Sequence, residues 1–125
     1  MNLTFLVIDD SKSSRGLNTA YLRHIFDAQA TYLEASGGAE ALAILASRPV
    51  DVALLDLTMP GMSGFEVLAE MQRLGLPTRV IVISADVQRR TLERIEALGA
   101  ACFVGKPVTL DAVRAVLTKL GVAHE

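Results

Sequence analysis

Five short apolar runs punctuate the chain: Leu3 to Ile8 (LTFLVI), Tyr32 and Leu33 within ATYLEA, Val52 to Leu55 (VALL), Arg79 to Ile83 (RVIVI) and Cys102 to Val104 (CFV). They are short, rich in β-branched residues and too apolar to keep a wet face, so they predict strands of a parallel sheet covered on both sides. Between them apolar residues recur at helical spacing. Leu17, Ala20, Tyr21 and Ile25 mark a first helix ending near Phe26, and Leu42, Leu45 and Ala46 a second. Phe65, Leu68 and Met71 mark a third, Val87, Thr91, Ile95 and Leu98 a fourth, and Leu110, Val113, Val116, Leu117 and Leu120 a fifth. Ser11 or Ser13, Ser63, Asp86 and Thr109 stand where helix caps are expected, and Ser36-Gly37-Gly38, Arg48-Pro49, Gly75, Pro77 and Gly99 supply the breaks. Strand and helix alternating five times imply a doubly wound α/β sheet, because parallel neighbours need right-handed crossovers. Gly121 to Glu125 reads as a frayed tail.

Composition narrows the picture without redirecting it. A length of 125 residues and a hydrophobic fraction of 51% suit one domain over residues 1–125 with a real core and no second domain. No apolar stretch approaches the roughly 18 residues of a transmembrane helix, and no signal peptide opens the chain, so a soluble, cytoplasmic protein without membrane contact is expected. The lone cysteine, Cys102, lies in an apolar setting and reads as a core thiol. A formal charge of -2 and the lack of a basic block give no footprint for nucleic acid. His24 and His124 are given no role.

The chemistry lies at the strand ends. Val52 to Leu55 stops abruptly in Asp56, and Met59-Pro60-Gly61 cannot extend the strand, so Asp56 should project at the sheet's carboxyl edge, where ligands bind in open parallel sheets. The first strand ends in Asp9-Asp10, the fourth in Ser84 and the fifth in Lys106. Three crowded carboxylates repel by about 3 kcal/mol per pair at an effective dielectric near 20, so they call for a cation. Oxygen ligands without imidazole or thiolate favour Mg²⁺. A cation, an ammonium, a hydroxyl and one projecting carboxylate suit phosphoryl transfer, with Asp56 as the nucleophile that becomes an acyl phosphate. Lys106 and Ser84 would each contact a phosphate oxygen.

With Asp9-Asp10, Asp56 in DLTMPGMSG, Ser84-Ala85 and Lys106-Pro107 in order at four strand ends, the chain resembles a receiver domain of two-component response regulators, closest to single-domain, chemotaxis-type members. The resemblance spans essentially the whole chain. It implies a flavodoxin-like sheet of order 2-1-3-4-5, and Mg²⁺ held by Asp9, Asp10, Asp56 and the backbone carbonyl of Thr58. It implies a phosphoacceptor rather than an enzyme: Asp56 accepts phosphate from a histidine kinase or histidine phosphotransfer protein, with phosphorylation and dephosphorylation catalysed by the domain itself. Lys106 contacts phosphate and Asp56, and the Lys106-Pro107 bond is typically cis in this family, turning the chain there. Phosphorylation then recruits Ser84, and Phe103 swings inward as the switch aromatic. Serine stands at 84 for the commoner threonine, and phenylalanine at 103 lacks the hydroxyl of the tyrosine found in some members. An unknown downstream protein would bind in trans on the face of the fourth helix, fifth strand and fifth helix.

Three other functions fit less well or less fully. A phosphorelay intermediate or phosphate sink uses the same residues without an output of its own. An aspartyl-phosphate phosphatase wants a second acid two residues beyond the nucleophile, where Thr58 stands, and a flavin carrier's anionic phosphate would be repelled by Asp9-Asp10. Thr58 and Asp86, each two residues beyond a site residue, are expected to flank the path of the water that removes the phosphate.

Overall fold

In the computed structural model, which describes residues 2–123, the elements alternate as the apolar pattern predicts. They are β1 (Leu3–Ile8), α1 (Lys12–Phe26), β2 (Ala30–Ala35), α2 (Gly38–Ser47), β3 (Val52–Asp56), α3 (Gly64–Arg73), β4 (Arg79–Ser84), α4 (Arg89–Ala97), β5 (Cys102–Gly105) and α5 (Leu110–Lys119). A single 3₁₀ turn, Asp27–Gln29, links α1 to β2 and has no clear signal in the sequence. The strands pair in parallel in the order β2-β1-β3-β4-β5, which is the doubly wound, flavodoxin-like arrangement.

The sheet divides the core into two layers. Val52 and Leu54 of β3 pack with Phe5, Leu22, Ile81, Val113 and Leu117 on the side of α1 and α5. Ala53 and Leu55 point the other way, to Ala41, Val67, Leu68 and Ile95 beneath α2, α3 and α4. All five residues of β3 are buried, as a central strand requires. Each fully buried leucine or isoleucine stabilises the fold by about 1.5–3 kcal/mol relative to exposure, so Leu54 and Leu55 anchor β3 in both layers.

Local signals set the helix starts. Ser11 caps α1 by accepting from the Ser14 N–H, Thr109 caps α5 through the Ala112 N–H, and Ser63 forms a reciprocal capping box with Glu66 at α3.

Four expectations need correction. The buried side of α1 is Asn18, Thr19 and Leu22, whereas Leu17 is 49% exposed and Ala20 also faces water. Leu22 fills the core on this side of the sheet, and the Tyr21 hydroxyl donates to the Val108 carbonyl (3.3 Å), which fastens the helix to the β5–α5 connection. Gln88, not Asp86, is the N-cap of α4, and Val87 is exposed rather than part of its apolar stripe. Residues 121–123 are not a frayed end. Gly121 takes φ 74°, and the Val122 and Ala123 N–H groups return to the Leu117 carbonyl with Ala123 buried. His124 and Glu125 lie outside the described residues. Finally, Cys102 is only partly buried, at the edge of the α1/α5 layer.

Candidate functional site

The carboxyl ends of β1 and β3 bring the acids together. Oxygen atoms of Asp9, Asp10 and Asp56 all lie within 4.8 Å of one another. Asp9 and Asp56 are buried, at 2% and 4% exposure, while Asp10 faces solvent. Asp56 ends β3 opposite Ile83 of β4, and the chain beyond it is pinned at once: the Leu57 N–H donates to the Ile83 carbonyl at 3.2 Å.

Packing of α3 fixes the far side of this strand end. A β-carbon on Gly64 would sit 2.6 Å from the Leu57 Cα and 2.7 Å from the Asp56 carbonyl oxygen, so only glycine lets α3 begin against the backbone that carries Asp56. Gly61 turns the intervening loop with φ 76°.

Lys106 enters from β5. Its Nζ lies 3.2 Å from Asp56 Oδ1, the same oxygen that accepts from the Thr58 N–H at 3.2 Å. The Lys106-Pro107 peptide bond is cis. The Lys106 N–H donates to the Ser84 carbonyl at 3.0 Å, which ties the ends of β4 and β5 together behind the site. A buried carboxylate therefore has one ammonium and one amide as partners.

The electrostatics of the acid pair are uneven. Burial pushes the Asp9 carboxyl above its ordinary value, the Ser11 N–H opposes this, Asp56 and Asp10 push further upward, and Lys106 pulls down. The single lysine leaves two of the three carboxylates without a cationic partner of comparable proximity among the described residues. Carboxylate oxygens alone, with no imidazole or thiolate in the cluster, match the ligand preference of a hard divalent ion such as Mg²⁺.

Ser84 is buried at 5%, and its hydroxyl accepts from the Asp86 N–H at 3.0 Å. Asp86 in turn accepts from the Gln88 N–H (3.0 Å) and the Thr91 hydroxyl (2.7 Å), and these bonds hold its carboxyl below the usual range. Phe103 points outward, 40% exposed, beside a shallow groove lined by Leu92, Ile95, Val116 and Lys119. Ser84 and Phe103 thus sit on the β4–β5 half of the edge, Asp9, Asp10 and Asp56 on the β1–β3 half, and Lys106 bridges them.

One participant has almost no signal in the sequence. Arg15, one turn into α1, donates through Nη1 to the Asp9 carbonyl at 2.8 Å and through Nε to Glu34 Oε1 at 3.1 Å. An arginine shortly after Asp9-Asp10 could have drawn notice, but its partner Glu34 lies 19 residues away on a different strand.

Known proteins agree with this architecture. Residues 5–118 match the model of the response regulator receiver domain family. Sporulation initiation phosphotransferase F of Bacillus subtilis is 31% identical over 120 residues, which cover 95% of this chain and 94% of that protein. The sensor histidine kinase RcsC of Escherichia coli is 31% identical over 117 residues, 94% of this chain but only 12% of the kinase. Among solved structures, the Vibrio cholerae chemotaxis protein CheY4 superposes with a TM-score of 0.86 at 26% identity, covering 95% of this chain and 98% of that one.

Proposed function

Because the chain belongs to the response regulator receiver domain family, whose members are phosphorylated on aspartate, we propose that Asp56 is its phosphoacceptor and that the reaction depends on Mg²⁺. The observation that carries this reading is the contact of Lys106 with a buried Asp56 inside a cluster of three acids. Asp9, Asp10, Asp56 and the Thr58 carbonyl would hold Mg²⁺, which supplies charge neutralisation of the phosphoryl oxygens. A carboxylate oxygen of Asp56 attacks the phosphorus of a phosphohistidine on a kinase or histidine phosphotransfer protein. The P–O bond forms as the P–N bond breaks, and the electron pair returns to the imidazole nitrogen. Lys106 then transfers its contact to a phosphate oxygen. The domain promotes both this transfer and the later hydrolysis with its own residues, without being a conventional enzyme.

The added charge of about -1.5 to -2 at Asp56 biases an existing equilibrium. The Ser84 hydroxyl donates a hydrogen bond to a phosphate oxygen, Phe103 moves inward from its exposed position, and the groove between α4, β5 and α5 becomes a surface for a partner protein in trans. Among the described residues no helix is long and apolar enough to cross a membrane.

Intact mass after incubation with Mg²⁺ and acetyl phosphate tests the reading. A Mg²⁺-dependent gain of one phosphate that disappears in Asp56→Asn is expected; a gain that persists in the variant, or none at all in the native chain, would refute it.

A second reading, relay or phosphate sink, is favoured by the likeness to a protein named a phosphotransferase along nearly its whole length. Phe103→Ala separates the two. A relay keeps its phosphate flux between histidine-bearing proteins in this variant, and a switch loses partner binding.

A further inference from the structure

Asp9 is held through its main chain as well as its carboxylate. Its N–H donates to the Ala35 carbonyl at 3.1 Å, its carboxylate Oδ1 accepts from the Ser11 N–H at 2.9 Å, and its carbonyl accepts from Arg15 Nη1 at 2.8 Å. Arg15 is itself fixed. It lies in the first turn of α1, where its N–H donates to the Ser11 carbonyl at 2.9 Å, and its Nε is anchored on Glu34 near the end of β2. Its side chain is only 15% exposed. One guanidinium therefore joins the ends of β1 and β2 to the start of α1, and it does so from behind the acid, on the carbonyl rather than the carboxylate.

We propose that Arg15 is a positioning residue for the cation: through the Asp9 carbonyl and Glu34 it locks Asp9 in the pose that a small divalent ion requires. The inference rests on the Mg²⁺ reading of the acid cluster given above. Mg²⁺ tolerates little departure from octahedral geometry, with ligand distances of about 2.0–2.1 Å, so a ligand that drifts loses affinity quickly. Asp10, solvent-facing, can adjust to the ion; Asp9, buried, cannot be left to find its place. A bare guanidinium near three carboxylates would also compete with a cation, and Glu34 offsets that charge. The fork of arginine is needed because both arms are used at once.

Charge and bracing predict opposite outcomes, which makes the idea testable. Mg²⁺ dissociation constants would be measured by titration calorimetry on native protein, Arg15→Lys and Arg15→Met, with thermal melts in chelator confirming that each is folded. Bracing predicts weaker Mg²⁺ binding in Arg15→Met, by about tenfold as for other groups that orient metal ligands, and a smaller loss in Arg15→Lys, which keeps the charge but only one arm. If Arg15 acted only by charge, Arg15→Met would bind Mg²⁺ more tightly and Arg15→Lys would be unchanged. Either of those results overturns the proposal, as does an unchanged constant in Arg15→Met. Global destabilisation alone leaves the constant of the folded protein where it was. Should Arg15→Met not fold, Arg15→Lys decides by itself: a loss supports the brace and no change refutes it. Native protein that binds no Mg²⁺ would refute the cation reading itself, a result distinct from native binding with unaltered variants.

Discussion

Asp9 and Asp56 on the β1–β3 half of the carboxyl edge are buried and tied down by backbone amides, an arginine brace and the close approach of α3 at Gly64. Ser84 and Phe103 on the β4–β5 half lead into a different setting, where residues 85–90 are all exposed and Phe103 and Val87 present large apolar surface to solvent. Both halves come from the same grammar of apolar strand and polar end. The difference lies in what surrounds the end: the first half is fixed where ligand geometry matters, and the second is held by a few hydrogen bonds that can be exchanged. Under the proposed function the first half would hold the phosphate and the second would report it.

The largest expected contrast is in stability. Leu54→Ala, at a site 1% exposed on β3, should cost about 3 kcal/mol through lost burial and a residual cavity, whereas Phe103→Ala should cost less than about 1 kcal/mol. Chemical denaturation of the two variants measures this, and equal losses would mean that Phe103 is packed far more tightly than its exposure shows. Gly64→Ala belongs with the first group. Its β-carbon meets backbone rather than a yielding side chain, and a loss of about 1–3 kcal/mol is expected by the same measurement.

The two halves should also differ in the sign of their pH response. Asp9 has a raised pKa because burial penalises its charge, so without metal the charged form destabilises the fold above that pKa. The penalty is relieved as pH falls through it toward the unfolded value of 3.8. Asp9→Asn should therefore raise the melting temperature of metal-free protein at neutral pH, with the gain fading toward that lower pH, and should abolish the stabilisation by Mg²⁺. Asp86 behaves oppositely. Its pKa is lowered by the Gln88 amide and the Thr91 hydroxyl, so its contribution is present above 3.8 and is lost as pH falls through the lowered value. Melting curves of Asp86→Asn against pH check the sign.

The smallest effect concerns phosphate lifetime. Thr58→Ala and Asp86→Ala should each change the rate of dephosphorylation severalfold without preventing phosphorylation, and mass spectrometry over time would show it. With the Asp86 carboxylate engaged by Gln88 and Thr91, its influence is expected through the β4–α4 loop rather than by direct contact with water. Unchanged lifetimes in both variants would remove these positions from the account.

What could be read from the sequence follows the same division. Asp9, Asp56 and Lys106 stand out because a charge at the end of a buried strand violates the apolar pattern, and such a violation needs a function. The alternation of strands and helices and the cap at Ser63 are likewise written in short-range pattern, whereas the strand order is a long-range property that only the family resemblance supplied. The first helix is less legible: Leu17, Ala20, Tyr21 and Ile25 satisfy helical spacing as well as Asn18, Leu22 and Ile25 do, and long-range contacts that the sequence does not display, the packing of Leu22 in the core and the bond from Tyr21 to Val108, accompany the observed rotation. Asp86 resembles a cap because a capping aspartate and an aspartate that closes a loop one turn earlier use the same side-chain bond. Arg15 could not be assigned a role, since its acceptors are a main-chain carbonyl and a glutamate of another strand.

Amide hydrogen exchange of the Mg²⁺-loaded protein, with and without acetyl phosphate, tests the division of labour most directly. Phosphorylation is predicted to alter exchange mainly across residues 84–91 and 102–105 while β1 and β3 stay as they were. Changes confined to the acid cluster, or spread evenly over the sheet, would contradict the account.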